Sequence, residues 1–349
     1  MTPNEVLFKE IGIKKLLRFR SFHNSVLPLV RGFYISRCLE ALDIGGCLDL
    51  LRVNNKLNLE SFLKNPKNKD YDATAWRSVC DYLYSVGLFS KTDDSYALTA
   101  AGKRVCLPRH GLFHFVQAYG PIFYGLPDIL MGKKRYGTDI VREDRYVSKA
   151  TAEVSEWVPL PAIRRIIRKY RFENILDLGC GRGELLLSIA PSVKSAVLRG
   201  VDMAKDSISD GIEAIQKAGL SKRITLKVAD VSRPEALADW LRDADVITIM
   251  FVLHEFAKNG DDGVVDYLRQ LKSHANKETH FLIAETPRHD PKQIRKRPTA
   301  IAEHHLFHQL SNQGILGADQ LRSIIKRAGL TIREDLHIRT FSQHYVLAK

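Results

Sequence analysis

The chain has 349 residues, a length that predicts two domains and leaves ample sequence for a buried core. Apolar residues make up 45% of it and charged residues 27%, proportions that are typical of soluble globular proteins. No run of 18 apolar residues occurs and the opening Met1–Glu5 lacks the pattern of a signal peptide, which excludes an obvious membrane protein. We therefore expect a cytoplasmic protein without a membrane partner.

The net charge of +13 raises the question of a nucleic-acid partner. The basic residues are spread along the chain and are not interleaved with aromatic residues in one block, as seen at Lys14–Lys15, Lys133–Arg135, Arg164–Arg165 and Arg295–Arg297. Scattered charge of this kind usually forms a solvated surface, whereas an RNA or DNA binder concentrates it. We expect no nucleic-acid partner and favour an anionic small-molecule substrate.

The first hundred residues predict mostly helices. Apolar spacing indicates helices over residues 1–20 and 26–51, the second interrupted at Gly45–Gly46. A short helix over Leu57–Leu63 is followed by one that starts at the N-cap Asp72 and ends at Gly87. A hairpin is then predicted over Leu88–Thr99, and helix, helix and hairpin together are typical of a winged helix.

A winged helix does not by itself predict DNA binding. The helix that would enter the DNA groove carries Asp72, Arg77 and Asp81, which do not form a phosphate-binding face. Residues 107–160 continue as a helical connector rich in aromatic residues. Most of these should pack in the core and some should line a substrate pocket: Phe113, Phe115, Tyr119, Phe123, Tyr124 and Trp157.

The most informative stretch is Ile175–Leu186. A short apolar run ends in Asp177, three glycines follow at every second position (Gly179, Gly181 and Gly183), and apolar residues then resume at helical spacing. This pattern predicts a strand, a tight turn and a helix, the place where an α/β sheet binds a nucleotide-like ligand. It differs from the dinucleotide fingerprint G-x-G-x-x-G and lacks the Lys-Ser/Thr of a P-loop.

Three further strands are predicted downstream. Leu198–Met203 carries Asp202 near its end, Ile224–Val231 carries Asp230, and Asp245–Met250 supplies a fourth strand. A carboxylate at the end of such a strand can accept hydrogen bonds from ribose hydroxyls. Successive strand-end acids after a glycine-rich turn indicate a nucleoside-containing cofactor.

The glycine-rich stretch resembles motif I of the class I S-adenosylmethionine (SAM) methyltransferases. The resemblance implies a Rossmann-like, seven-stranded α/β domain and SAM as cofactor. It also implies the cofactor-binding residues, which would be Asp177, Gly179, Gly181, Gly183, Asp202, Met203, Asp230 and Val231.

The N-terminal part resembles the dimerisation domain of small-molecule O-methyltransferases, through the phrases Leu83–Phe89 and Tyr96–Gly102. The resemblance implies a homodimer and three segments: a winged-helix dimerisation domain (1–106), a helical connector that lines the substrate pocket (107–160) and the SAM domain (161–349). The closing Leu330–Arg333 and Phe341–Leu347 predict the antiparallel hairpin that ends such sheets.

Two residues are predicted to carry the chemistry. His254 follows the fourth strand at the position where O-methyltransferases of this type place their general base, and the ordinary pKa of histidine suits that task. Glu285 ends the next predicted strand, His280–Pro287, and matches a family glutamate that orients the catalytic histidine. We expect a catalytic or metal-binding role for His254.

The segment from Glu303 to Gly314 departs from that family pattern. The second flanking acid is missing, and three histidines stand there instead: His304, His305 and His308. These could be ordinary surface or helix-end histidines. Alternatively, they resemble the 2-oxo acid C-methyltransferases of specialised metabolism, in which two histidines hold a non-haem iron. That resemblance implies His254 with either His305 or His308 as ligands of iron or another divalent metal, and we slightly favour His305.

Three classes of function remain open at this point. The first is metal-assisted C-methylation at the β-carbon of a 2-oxo acid, with Arg288, Arg295 and Arg297 as unranked candidates for binding the substrate's far end. The second is metal-free O- or N-methylation with His254 as base. The third is a DNA-binding regulator that senses SAM, for which a basic recognition helix is missing.

Overall fold

The computed structural model describes residues 3–296, 299–338 and 342–349. The chain divides into two compact units, Met1–Arg109 and His110–Lys349. Within the described residues, every helix is too short or too polar to cross a lipid bilayer. The division into three segments, 1–106, 107–160 and 161–349, stays a prediction.

The first unit opens with three helices: α1 (Pro3–Ile11), α2 (Ile13–Ile44) and α3 (Cys47–Asn54). The predicted separation between a helix over 1–20 and one over 26–51 is wrong, because α2 runs through residues 21–25 and is 32 residues long. The break lies instead at Gly12, whose φ of 75° is a left-handed conformation that favours glycine. The second break is at Gly45–Gly46, as predicted, with φ of 81° at Gly46.

A small antiparallel sheet completes the first unit. Its strands are β1 (Lys56–Asn58), β2 (Phe89–Thr92) and β3 (Ser95–Leu98), in the order β1-β3-β2. The predicted hairpin is β2–β3, whereas β1 was not predicted. The helices around the sheet are α4 (Leu59–Leu63), α5 (Ala73–Ser85) and α6 (Ala100–Cys106). Asp72 caps α5 by accepting the backbone N–H groups of Thr74 and Ala75.

The second unit begins with four helices: α7 (Leu112–Tyr124), α8 (Leu126–Leu130), α9 (Asp144–Ser155) and α10 (Pro159–Tyr170). A seven-stranded sheet follows, with strands β4 (Asn174–Leu178), β5 (Val197–Asp202), β6 (Ile224–Val228), β7 (Val246–Met250), β8 (His280–Glu285), β9 (Ile332–Ile338) and β10 (Gln343–Ala348). The strand order is β6-β5-β4-β7-β8-β10-β9. Only β10 runs antiparallel to both of its neighbours.

This sheet confirms the predicted seven-stranded α/β fold. The predicted closing hairpin is β9–β10, although β9 extends to Ile338, beyond the predicted Arg333. Phe341, predicted to start the last strand, lies outside the described residues. The third predicted strand was too long, since β6 ends at Val228 and Asp230 lies in the turn after it.

Helices cover both faces of the sheet: α11 (Glu184–Ile189), α12 (Lys205–Lys217), α13 (Ala238–Asp243), α14 (Leu253–Phe256), α15 (Gly260–His274), α16 (Pro291–Ile294), α17 (Ile301–Leu310) and α18 (Ala318–Arg327). Alternating residues of β8 point to two separate cores. Ile283 packs with Leu268 and Ile324 on one face, whereas Leu282 packs with Ile163 and Leu186 on the other. With both faces buried, the carboxyl edge of the parallel strands is where a ligand can reach the sheet.

Candidate active site

The loop after β4 has the geometry that the glycine pattern predicts. Gly179, Gly181 and Gly183 have φ of 72°, 54° and 76°, a region that a β-carbon makes costly. A β-carbon on Gly179 would also lie 2.4 Å from Cγ2 of Val252. The loop therefore needs glycine for its backbone angles and, at Gly179, for close packing against the turn that precedes His254.

Asp202 ends β5 and braces this loop. One carboxylate oxygen accepts the N–H of Gly181 and the other the N–H of Ala204, each at 2.8 Å. A carboxylate offers about four acceptor positions, so each oxygen can still accept a ribose hydroxyl. The neighbouring Met203 is 71% exposed and presents an apolar side chain beside that carboxylate.

The other two predicted acids occupy different environments. Asp177 is buried, its carboxylate accepts the Thr248 hydroxyl at 2.6 Å, and burial raises its pKa to about 7. It therefore supports the loop from inside the sheet. Asp230 is largely solvated and accepts the N–H of Ser232 at 2.9 Å. Val231 packs against the core on the α15 side of the sheet.

Helix α9 lies next to the glycine loop, a contact that the sequence did not reveal. The hydroxyl of Ser148 on α9 is 3.1 Å from that of Ser207 on α12 and faces Gly181. A cavity of about 380 Å³ opens between the beginnings of α9 and α12, lined by residues 143–145 and 204–207. Asp202 lies two residues before Ala204, which lines the cavity. The cavity therefore adjoins the side of the loop that is predicted to bind ribose.

His254 lies in the first turn of α14, immediately after β7. Its Nδ1 is 3.2 Å from Oε2 of Glu285, whose other oxygen accepts the N–H of Leu253 at 2.8 Å. Because a carboxylate only accepts, Nδ1 carries the proton and Nε2 keeps its lone pair in the neutral ring. The turn is strained just before it, since Phe251 has φ of 55°. Strained backbone of this kind is often found at functional sites.

Helix α17 brings a second histidine to His254. The rings of His254 and His308 are 4.9 Å apart and nearly perpendicular. Nδ1 of His308 donates to the carbonyl of His304 at 2.8 Å, which again leaves Nε2 as the ring's acceptor. The ring of His304 lies 3.9 Å from that of His308.

His305 lies on a different face of α17. Its ring stacks 6.3 Å from that of His289, beyond the end of β8, and among the ring contacts of the described residues none joins it to His254. The slight preference for His305 as the partner of His254 is thus not supported by its position. The reason is helical geometry, because residues three apart are rotated by about 60° around the axis.

Burial and neighbouring charges set the protonation of these histidines. Burial alone would lower the pKa of His254, but the adjacent carboxylates of Glu285 and Glu255 together raise it. Burial lowers the pKa of His304 to about 3, and burial together with His304 and His254 lowers that of His308 further. His304 and His308 are therefore neutral at physiological pH, the form in which imidazole binds metals.

A polar network missed in the sequence adjoins Nε2 of His254. Oε1 of Glu255 lies 3.7 Å from this nitrogen and accepts hydrogen bonds from Arg142, at 2.9 Å, and from Gln313. Arg142 is 17% exposed and is also held by Asp144 at 2.6 Å. Arg142 comes from the loop between α8 and α9, and no pattern in the sequence marks it.

Two of the predicted aromatic residues pack in a small core cluster next to the histidines. Phe115 and Tyr119 of α7 stack on Phe307 of α17, which contacts the ring of His308 at 4.8 Å. Tyr124 and Trp157, by contrast, are more than 60% exposed.

Among the predicted arginines, Arg288 and Arg295 are exposed and Arg297 lies outside the described residues. Arg142, by contrast, lies within electrostatic reach of His254 and His308.

Comparison with known proteins agrees with this geometry. Residues 171–329 match the model of a methyltransferase domain. The chain is 23% identical to the 2-ketoarginine methyltransferase of Streptomyces arginensis over 75% of its own length and 76% of that protein.

Solved structures share the fold across nearly the whole chain. The mitomycin 7-O-methyltransferase MmcR has a TM-score of 0.64 at 16% identity, covering 96% of this chain and 99% of its own. Human N-acetylserotonin methyltransferase, solved with SAM, has a TM-score of 0.66 at 16% identity, covering 94% and 97%. With its methyltransferase domain and a glycine loop of this geometry, the chain is a SAM-dependent methyltransferase that has the fold of the small-molecule O-methyltransferases.

Proposed function

We propose that this methyltransferase transfers the methyl group of SAM to the β-carbon of a 2-oxo acid, with His254 and His308 holding a non-haem iron or another divalent metal. The observation that carries the proposal is the pairing of these two histidines, 4.9 Å apart, with Nδ1 of each ring anchored. Anchoring of Nδ1 by a carboxylate or a backbone carbonyl is the usual support of a metal-binding histidine.

The donor set fits such a metal. Within the described part of the chain, neither Nε2 of His254 nor Nε2 of His308 makes a hydrogen bond. The carboxylate oxygen nearest to Nε2 of His254 is Oε1 of Glu255, 3.7 Å away. Two imidazoles suit iron and similar transition metals and leave coordination positions for a bidentate substrate. When bound, such a metal would supply Lewis-acid polarisation of the 2-oxo acid, which makes its β-hydrogens more acidic.

The protein's own residues would orient the reactants. Arg142 is within electrostatic reach of both histidines, and its pairing with Glu255 and Asp144 fixes the Glu255 carboxylate beside the site. Transfer of a β-proton to water would give the enolate form of the substrate, whose β-carbon would attack the SAM methyl group and displace S-adenosylhomocysteine. The chain's contribution is positioning and stabilisation of negative charge.

The curated relative adds independent support. Its name, 2-ketoarginine methyltransferase, identifies a 2-oxo acid as that protein's substrate. The guanidinium group of 2-ketoarginine would need a free carboxylate as its partner. In the present chain the carboxylates of Glu255 and Asp144 are both occupied by Arg142. The proposal for this chain therefore extends to 2-oxo acids as a class and not to 2-ketoarginine in particular.

A second candidate is metal-free O- or N-methylation. The contact between His254 and Glu285 favours it, because a histidine oriented by a carboxylate through Nδ1 is also the arrangement of a general base. His308 has no evident part in that reaction. Its burial beside His254 is therefore the feature that separates the two candidates.

Product analysis decides between them. Purified protein would be incubated with SAM carrying a ¹³C methyl group and with panels of 2-oxo acids, phenols and amines. We expect a ¹³C methyl signal coupled to a β-proton in the 2-oxo acid product and no methyl ether or methylamine. A methyl ether or methylamine formed without added metal, and equally by His308→Ala, would favour the second candidate.

We also propose that the protein forms a homodimer through α2. Large apolar side chains follow one another on this helix at heptad-like spacing, and Phe19, Phe22, Leu29 and Val30 are 45–75% exposed. Spacings of three and seven residues place Phe19, Phe22 and Leu29 along one seam that can pack against a second copy of the helix. The dimerisation domain inferred from the sequence corresponds to the same part of the chain.

Light scattering after size exclusion tests the dimer. The double variant Phe22→Glu/Leu29→Glu should shift the mass from two chains to one, because charge would be buried in the seam. Val53→Glu, at a 79% exposed position of α3, serves as the matched control and should remain dimeric. A monomeric wild type, or a dimer unaffected by the double variant, contradicts this assignment.

A further inference from the structure

The glycine loop (residues 179–183) and the His254 turn (residues 251–254) are held by different strands. In the loop, the N–H of Gly179 donates to the carbonyl of Val201 on β5 at 2.9 Å. In the turn, the N–H of Phe251 donates to a carbonyl of β8 at 2.8 Å. Among the hydrogen bonds of the described residues, none joins the loop to the turn. Hydrogen bonds therefore do not directly fix the distance between the two segments.

One side chain of the turn packs directly on the loop. A β-carbon on Gly179 would overlap Cγ2 of Val252, so the valine lies against the backbone of the loop. Val252 is buried and belongs to the same core as Leu178 on β4 and Ile249 on β7. In a close-packed interior, a change of even one methyl group is felt by the neighbouring atoms. The contact between Val252 and Gly179 therefore limits how closely the turn approaches the loop.

The backbone on either side of Val252 is tightly held. Phe251 has φ of 55°, a strained angle for an aromatic residue, which persists only where the surroundings impose it. On the other side, the N–H of Leu253 donates to Oε1 of Glu285 at 2.8 Å. A change at Val252 thus reaches His254 through a short and constrained segment of backbone.

We propose that Val252 is a positioning residue that sets the separation between the SAM methyl group and the acceptor. It acts through Gly179 on the cofactor side and through the backbone of His254 on the acceptor side. Methyl transfer needs the reacting atoms about 3–3.5 Å apart and in line, and a misplacement of about 1 Å can cost about 100-fold in rate. Both candidate functions place the acceptor beside His254, so the inference rests on the proposed function only to that extent.

Kinetics of valine variants test the proposal, with the acceptor that the ¹³C product analysis identifies, whichever class it belongs to. In Val252→Ala the packing atom is lost, and we expect kcat to fall about 10- to 100-fold while the Kd for SAM changes by less than about 2-fold. Val252→Thr keeps a branched side chain and should retain kcat within about 3-fold, although its buried hydroxyl lowers stability. Val264→Ala is the matched control, because it removes the same atoms from a fully buried valine of the same core. It should leave kcat unchanged.

These variants separate positioning from a general loss of packing. Equal losses of kcat in Val252→Ala and Val264→Ala would mean that core packing accounts for the effect. Val252→Ile adds a methyl group to the same contact and should also lower kcat, so it replaces Val252→Ala if that variant does not fold. A normal kcat in Val252→Ala or in its replacement, a comparable loss in Val252→Thr, or a loss confined to SAM affinity would each overturn the proposal.

A double-mutant cycle examines the contact itself without any acceptor. Gly179→Ala adds a β-carbon that meets Cγ2 of Val252. In the Val252→Ala background that atom is gone, and the β-carbon of residue 252 lies 3.7 Å away, which is an ordinary contact. The loss of SAM affinity caused by Gly179→Ala should therefore be at least about 3-fold smaller in that background than in the wild type. Equal losses in the two backgrounds would show that the contact carries no coupling and would overturn the proposal.

The product and the valine comparison fail independently of each other. A methyl ether or methylamine product would contradict 2-oxo acid C-methylation, while the kinetics of Val252→Ala would still decide the positioning role. A C-methylated 2-oxo acid formed at the normal rate by Val252→Ala would leave the proposed function standing and remove the role of Val252.

Discussion

The cofactor loop and the histidine cluster lie at the same edge of one sheet but are built in different ways. The cofactor loop uses backbone angles and strand-end carboxylates from neighbouring segments, chiefly Gly179–Gly183 and Asp202. The histidine cluster uses side chains from segments far apart in the chain: His254, Glu285, His308 and Arg142.

This difference separates what the protein shares with other methyltransferases from what distinguishes it. A glycine loop braced by Asp202 serves any reaction that uses SAM. The acceptor depends on the side chains around it, and in the histidine cluster the neutral His304 and His308 lie beside a carboxylate network. Changes in the loop should therefore affect cofactor binding, and changes in the cluster should affect turnover.

The largest effect is expected at His254. His254→Ala should lower kcat by about 10²- to 10⁴-fold, because either a metal ligand or a general base is lost. SAM affinity measured by calorimetry should change little, since Glu285 and the loop remain. A variant that loses SAM binding as well would break the proposed separation of the two regions.

The next largest effect is expected at the loop. Gly179→Ala should weaken SAM binding by about 10-fold or more, because a left-handed angle costs an alanine about 1–2 kcal/mol and its β-carbon would clash with Val252. Gly219→Ala is the control, since Gly219 has φ of 68° and open space around it. Isothermal titration should give wild-type affinity for the control. Equal losses in both variants would mean that general strain, and not the loop, accounts for the effect.

A smaller effect is expected at Glu285. Glu285→Gln keeps an acceptor for the N–H of Leu253 but loses the charge next to Nδ1 of His254, so metal affinity or kcat should fall about 10- to 100-fold. Asp335→Asn is matched to it, because Asp335 pairs with Nε2 of His344 at 2.8 Å on the same sheet. Metal titration and steady-state kinetics should show no comparable loss in the control. A normal Glu285→Gln enzyme would exclude the orienting role.

The smallest effect on function is expected at Asp177. Burial raises its pKa in the folded protein to about 7, above the unfolded value, so the folded state binds the proton more tightly. Its contribution to stability is present in acid and is lost as the pH rises from about 4 through 7. Asp177→Asn should raise the free energy of unfolding at pH 8, on the order of 1–3 kcal/mol, and change it little at pH 4. Denaturant titrations at both pH values check this, and destabilisation at pH 8 would contradict it.

Much of the fold could be predicted because its signals are local. The apolar runs and the glycine pattern from Ile175 to Leu186 lie within a dozen residues, and the seven strands followed from similar runs. The separation of the first two helices between residues 20 and 26 was wrongly predicted, because α2 continues through this stretch and tolerates Pro28 in its interior.

The histidine cluster could be predicted only in part. The candidates His305 and His308 differ by about 60° around α17, and the packing of that helix, with Phe307 stacked on Tyr119, decides which one meets His254. Arg142 and Gln313 come from loops with no periodic pattern, so only the tertiary structure brings them to Glu255. Local sequence thus predicts the cofactor loop, and long-range packing completes the site.

The most direct test of the two-histidine metal site is elemental analysis of protein prepared without a histidine tag. Wild type would be compared with His308→Ala and with His305→Ala, its neighbour on the same helix. About one iron or other transition metal per chain is expected in wild type and in His305→Ala, and none in His308→Ala. Wild type without metal under anaerobic loading with Fe²⁺, or metal lost from His305→Ala and kept by His308→Ala, would contradict the site.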